Sequence, residues 1–167
     1  MIVTLWRHGE AGDAPTDVER ELSSKGEDDV GFGAHQFSQV CQQRDLPVPD
    51  VIVHSALVRT TLTAEIIAGV FSHALMTPAT GLQPGSTVSD AAAIIAAHIA
   101  SKPAPAHLVL VSHQPLVSQL ATFLTGEAGR APSLNPGGLV TLQVMLPVAG
   151  GADLLFWSLP PEYEAAW

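Results

Sequence analysis

Apolar positions recur along this chain in two rhythms. Ile2, Val3, Leu5 and Trp6 form a near-continuous β-branched and aromatic run that stops at Arg7-His8-Gly9, the pattern of a strand buried on both faces. Runs of the same kind follow at residues 51–53, ending at His54-Ser55, and at residues 107–111, the strongest strand signal in the sequence; residues 73–76 are a weaker candidate. Between them lie helical patterns. Ser24-Lys-Gly-Glu27 has the spacing of a capping box, so a helix is predicted to begin near Ser23 or Ser24 and to run through Val30, Phe37 and Val40 to about Gln43. A second helix is predicted over residues 57–70, with Leu62, Ile66 and Val70 at i, i+4 spacing, an alanine-rich one from Asp90 to about Ser101, and a fourth over 116–124. Pro47 and Pro49, the turn-rich stretch 80–89, residues 102–105 and the loop 132–138 punctuate the series. Residues 138–146 and 153–159 read as two strands joined through 147–151, a hairpin at the sheet edge.

Strands alternating with helices predict an α/β layered domain, with a parallel core around the first, second and fourth strands. The 167 residues suit one domain spanning residues 1–167, with a substantial core.

Composition narrows the partners. The formal net charge is −9 with only seven lysines and arginines, which argues against nucleic acid or an anionic membrane surface as partner. No apolar run reaches the roughly 20 residues of a membrane span, and no cationic leader precedes the first strand. A single cysteine, Cys41, allows no internal disulfide, and a reducing cytoplasm is the expected setting. Cys41 lies in a helical run and reads as packing rather than as a nucleophile.

In so acidic a chain the placement of five arginines is informative. The first strand delivers Arg7-His8, the fourth Ser112-His113, and the second Ser55, with Arg59 one turn into the following helix. If these strands are neighbours, two guanidiniums and two imidazoles converge on the crevice where open α/β sheets bind ligands. Such a fork of donors matches the oxygens of a phosphoryl group. Taken singly, each has an ordinary alternative: Arg59 paired with a surface carboxylate, or His113 capping a helix.

The ordered set carries a resemblance. Arg7-His8-Gly9, Ser55-x-x-x-Arg59-x-x-x-Thr63-Ala64 and Ser112-His113 resemble the histidine phosphatase (phosphoglycerate mutase-like) superfamily. The short length, Asp17-x-x-Arg20-x-Leu22-Ser23-x-x-Gly26 and the stretch 108–120 are similar, more narrowly, to the SixA-type phosphohistidine phosphatases. Ala56 and Gln114 depart from the common pattern. The resemblance implies a three-layer α/β/α sandwich around a mostly parallel sheet. It implies His8 as nucleophile, forming a phosphohistidine intermediate, and Arg7, Arg59 and His113 as the phosphate pocket, with no metal or other cofactor. Arg20 would add a contact at the rim, or pair with Asp17, and Ser55 would line the pocket. The implied partner is a phosphohistidine-bearing phosphotransfer or carrier protein.

One absence bears on substrate. Phosphate-ester phosphatases of this kind need a carboxylic acid to protonate the leaving alkoxide, yet residues 76–89 contain no Asp or Glu. A phosphohistidine makes less demand, because its leaving imidazole is readily protonated. Asp90 and the loop 10–22, with Glu10, Asp13, Asp17, Glu19 and Glu21, remain candidate acids. Rival readings are a small-molecule phosphate-ester phosphatase and a non-catalytic phosphate-binding module on the same fold. A metal hydrolase is disfavoured: His107 and His113, six strand residues apart, would stand roughly 20 Å from one another. His35, His54, His73, His98 and His107 read as surface or satisfied core histidines.

Overall fold

The computed structural model describes residues 1–167. A six-stranded sheet is built from β1 (Ile2–Arg7), β2 (Val51–His54), β3 (Leu75–Pro78), β4 (His107–Ser112), β5 (Leu139–Val144) and β6 (Ala152–Ser158), in the order β3-β2-β4-β1-β5-β6. The first four run parallel, while β5 and β6 are antiparallel additions at one side. Four helices cover the sheet: α1 (Ser24–Gln43), α2 (Val58–Val70), α3 (Val88–Ala100) and α4 (Leu116–Thr125). No helix is long and apolar enough to cross a membrane.

The period of two along β1 assigns its side chains. Val3 and Leu5 join Leu108, Leu110 and Leu142 in a core under α3 and α4. Trp6 faces the other way and joins Val109, Val111 and Leu139 under α1 and α2. Burial on both faces is what the unbroken apolar runs anticipated. Phe37 of α1 is the hub of the second core: its ring lies edge-on to Trp6, Phe71 and His107 and is tilted against Phe156. One set of polar groups in this layer closes on itself. The Thr4 hydroxyl meets His107 Nε2 at 2.8 Å and the Thr141 hydroxyl at 2.9 Å, and His107 Nδ1 donates to the Pro47 carbonyl at 2.7 Å. Burial pushes the His107 pKa down to about 4, so the ring stays neutral with one nitrogen donating and the other accepting.

The helix starts differ in detail from the sequence patterns. Ser23 caps α1 by accepting from the Gly26 N–H, but no box forms there, because Gly26 at the third position has no side chain to reach back. The reciprocal capping box belongs to α3. Thr87 Oγ1 accepts from Asp90 N–H while the Asp90 carboxylate accepts from Thr87 N–H, so the helix begins two residues before the expected Asp90. β3 lies two residues later than expected, since pairing with β2 begins at Leu75↔Val51. Beyond β6 the chain returns along that strand, with Trp157 and Ala166 exchanging backbone hydrogen bonds. Arg44 lies between the ring faces of Phe156 and Trp167 and donates to the Leu155 carbonyl. An otherwise open sheet edge is covered in this way.

Candidate active site

Register explains why the sequence-predicted residues meet. β1 and β4 are neighbours, with Arg7 opposite Ser112, so the next residue on each strand is a histidine. The His8 and His113 rings stand 5.2 Å apart between centroids. β2 flanks β4 on its other side, with His54 opposite Val111, and brings Ser55 and Arg59 to the same rim. His8, Ser55, Arg59 and His113 are all buried.

His8 is held in one tautomer. Its Nδ1–H donates to the Gly9 carbonyl at 2.7 Å, which leaves a lone pair on Nε2. Burial, with smaller contributions from Arg59, Arg7 and Arg20, pushes its pKa down to about 4 against the pull of the Gly9 carbonyl. The ring is neutral and oriented at neutral pH, with the free lone pair that a nucleophile would need. Its backbone is fixed on both sides: His8 N–H donates to Ser112 O at 3.0 Å, and Gly9 N–H donates to Thr63 Oγ1 at 3.1 Å. Thr63 in turn donates to the Arg59 carbonyl at 2.7 Å, tying the loop after His8 to the helix that carries Arg59.

His113 is also neutral, its pKa pushed down to about 3 by burial first and then by His8, Arg59 and Arg7, with Asp17 opposing. Its Nε2 lies 2.8 Å from Ser55 Oγ. The Leu57 N–H approaches that oxygen at 3.4 Å, while the Thr60 hydroxyl, 3.2 Å away, has closer acceptors in the Ser55 and Leu57 carbonyls at 2.8 and 2.9 Å; the Ser55 proton finds its acceptor in Nε2. The ring proton then belongs to Nδ1, a buried atom with no partner. Ser55 therefore orients His113 and does not present its hydroxyl as a separate pocket donor.

The guanidiniums are each tethered at one end. Arg7 Nη1 donates to the Leu134 carbonyl at 2.9 Å, and burial lowers its pKa. Arg59 Nη1 and Nη2 donate to the Asp17 carbonyl and carboxylate at 2.7 and 3.0 Å. Arg20 donates to Asp17 Oδ1 at 3.3 Å, and to the Gly12 and Ala11 carbonyls; its expected pairing with Asp17 is present, and it sits at the rim. The Nε atoms of both Arg7 and Arg59 are buried without a partner, like His113 Nδ1. Buried donors of this kind are costly unless something accepts from them. Three unpaired N–H groups on three residues of one cluster make a seat for an oxyanion. No group of three or more His, Cys, Asp or Glu side chains is placed to hold a metal ion.

Two contacts of the site were not legible in the sequence. Asp17, expected as a partner for Arg20 or as an acid, is the carboxylate that pairs with Arg59, across 42 positions, and the Leu134 carbonyl reaches Arg7 across 127. Of the candidate acids, Asp90 is spent on the α3 cap. Asp17 is held below the usual carboxylate range by Arg59 first and Arg20 second. None of the surface hollows of the chain, about 350 to 410 Å³ each, is formed by His8, Arg7, Arg59 or His113.

No protein-family model and no curated protein matches the sequence. Solved structures do match. The protein histidine phosphatase SixA, in complex with tungstate, aligns with 96% of this chain and 97% of its own at a TM-score of 0.75 and 22% identity. The Agrobacterium tumefaciens protein named SixA covers 95% and 97% at 0.77 and 21%. A mycobacterial glucosyl-3-phosphoglycerate phosphatase with VO3 covers 95% and 99% at 0.69 and 18%. The chain thus has the phosphoglycerate mutase-like fold of the histidine phosphatases, in the compact form seen in SixA.

Proposed function

We propose that this chain is a metal-independent phosphatase of the histidine phosphatase superfamily that removes phosphoryl groups from protein phosphohistidine. The observation that carries this reading is the pairing of a neutral His8, its Nε2 free, with the unpartnered donors of Arg7, Arg59 and His113. In the first step His8 Nε2 attacks phosphorus as the N–P bond of the substrate breaks. The leaving imidazole keeps that electron pair and takes up a proton. In the second step water attacks the phosphoryl on Nε2, the new N–P bond breaks, and inorganic phosphate leaves with His8 restored. Charge in both transition states lies on the equatorial oxygens, so fixed cations and N–H donors are the main catalytic device.

The substrate class is supported by the site's acids. Asp17, the carboxylate bonded to Arg59, is held ionised by two guanidiniums and is poorly suited to protonate an alkoxide. The likeness in fold to a glucosyl-3-phosphoglycerate phosphatase supports the small-molecule ester reading as the second one. The test compares a phosphohistidine-bearing carrier domain with several sugar and glycerate phosphates at matched concentration. General acid catalysis is worth about 10²–10⁴-fold, and aliphatic esters are expected to lag by about that factor. A higher kcat/KM on an aliphatic ester would transfer the assignment to the small-molecule reading. Retention of full turnover by His8→Ala would end both.

A further inference from the structure

We propose that Tyr163 is a positioning residue for His8, acting through a backbone clamp formed by residues 134–138; this rests on the reading of His8 as the nucleophile. The clamp grips the end of β1 at three points. Arg7 N–H donates to the Gly138 carbonyl at 2.9 Å, and Gly137 N–H donates to the His8 carbonyl at 2.8 Å and the Arg7 carbonyl at 3.2 Å. Arg7 Nη1 donates to the Leu134 carbonyl. From behind, the Tyr163 hydroxyl donates to the Gly137 carbonyl at 3.0 Å. One residue therefore takes a bond from Tyr163 and passes one to the nucleophile.

The rest of the chain is shaped to admit this side chain. Tyr163 is 2% exposed. A Cβ on Gly33 of α1 would stand 2.4 Å from its ring, and one on Gly137 would stand 2.7 Å from its hydroxyl oxygen. Tyr163 itself adopts φ 51°, a left-handed conformation uncommon for a bulky residue. Gly137, at φ 83°, needs to be glycine for that reason as well. Burial pushes the phenol pKa up, so the hydroxyl remains a donor throughout the range in which His8 is neutral. A phenylalanine would fill the slot equally well; what the hydroxyl adds is the bond to Gly137.

The two ends of the clamp are supported separately. Leu134, which holds Arg7, is pinned by Gln114 Nε2 at 3.1 Å and by Ser118 Oγ at 3.4 Å, whereas Gly137, which holds His8, is pinned by Tyr163. Loss of the hydroxyl is thus expected to disturb the nucleophile more than phosphate binding. Tyr163→Phe should lower kcat by about 10-fold, in keeping with the sensitivity of such reactions to small misplacements, while inhibition by inorganic phosphate changes less than about 2-fold. Amide exchange at Gly137 should quicken by about 10-fold or more, with the amides of α3 unchanged. Ile95→Val, a core change on α3, serves as the control for general loss of stability and should keep the wild-type kcat. Tyr163→Phe with kcat within about 2-fold of wild type, unchanged Gly137 exchange, or an equal loss in Ile95→Val would each overturn the proposal. A wild-type chain inert toward every phosphorylated substrate would instead sink the phosphatase reading, a result separable from these.

Discussion

Asp17 accepts twice from Arg59, through its carbonyl at 2.7 Å and its carboxylate at 3.0 Å. The pair brings the acidic loop onto the cationic rim, so the guanidinium expected to bind a phosphoryl group already carries a counter-charge. The Asp17 side chain is 60% exposed, and solvent screens much of its influence. Asp17→Asn is accordingly expected to tighten inorganic phosphate binding by about 2- to 5-fold, by removing a like charge from the oxyanion's surroundings. Turnover of phosphohistidine should change little. A large loss of ester turnover in this variant would instead expose Asp17 as the general acid.

His8→Ala should abolish turnover and labelling, leaving the unfolding transition intact. In the wild type, brief exposure to radiolabelled substrate should leave acid-labile, base-stable label on His8. Arg59→Ala keeps the nucleophile but removes both the unpaired Nε and the tie to Asp17. It should weaken phosphate inhibition and lower kcat together, by about 10²-fold or more. Labelling that persists in His8→Ala would place the nucleophile elsewhere.

Acid should act on stability before it acts on the nucleophile. His8, His107 and His113 titrate at about 4, 4 and 3 in the folded chain and near 6.5 when unfolded. Between pH 6.5 and about 3 these histidines bind more protons in the unfolded state, so their contribution to stability falls as pH falls through that window and levels off below it. Urea unfolding at pH 7 and pH 5 should differ by on the order of 2 kcal/mol for His107 alone, at about 1.4 kcal/mol per pKa unit. The acid limb of kcat/KM for the free enzyme, measured where the chain remains folded, should lie well below pH 6.5. A limb centred at 6.5 would mean that His8 is not shielded as its burial implies.

Phe37 is the most exacting position of the α1/α2 core, because four rings pack against it. Phe37→Ala should cost about 3–5 kcal/mol in denaturant unfolding. A loss below about 1 kcal/mol would mean that this layer collapses around the gap, or that the ring is less central than its neighbours indicate.

Some of this protein was readable from the order of its residues alone. A strand buried on both faces is apolar at nearly every position, so the runs ending at Trp6 and Val111 marked the central strands. The polar residues that interrupt them, Arg7-His8 and Ser112-His113, could only be at the sheet's rim. The hairpin of β5 and β6 and the four helices followed from periodicity in the same way. The pairing of β1 with β4, which sets His8 beside His113, required strands 100 residues apart to become neighbours. That is a property of sheet order, which no local pattern encodes. The same holds for Asp17 on Arg59, Leu134 on Arg7 and Tyr163 behind Gly137. These contacts are hydrogen bonds to single atoms, many of them backbone carbonyls that every residue possesses. Side-chain identity therefore told which groups had chemistry to offer, and the packing of distant segments decided which of them were held in place to use it.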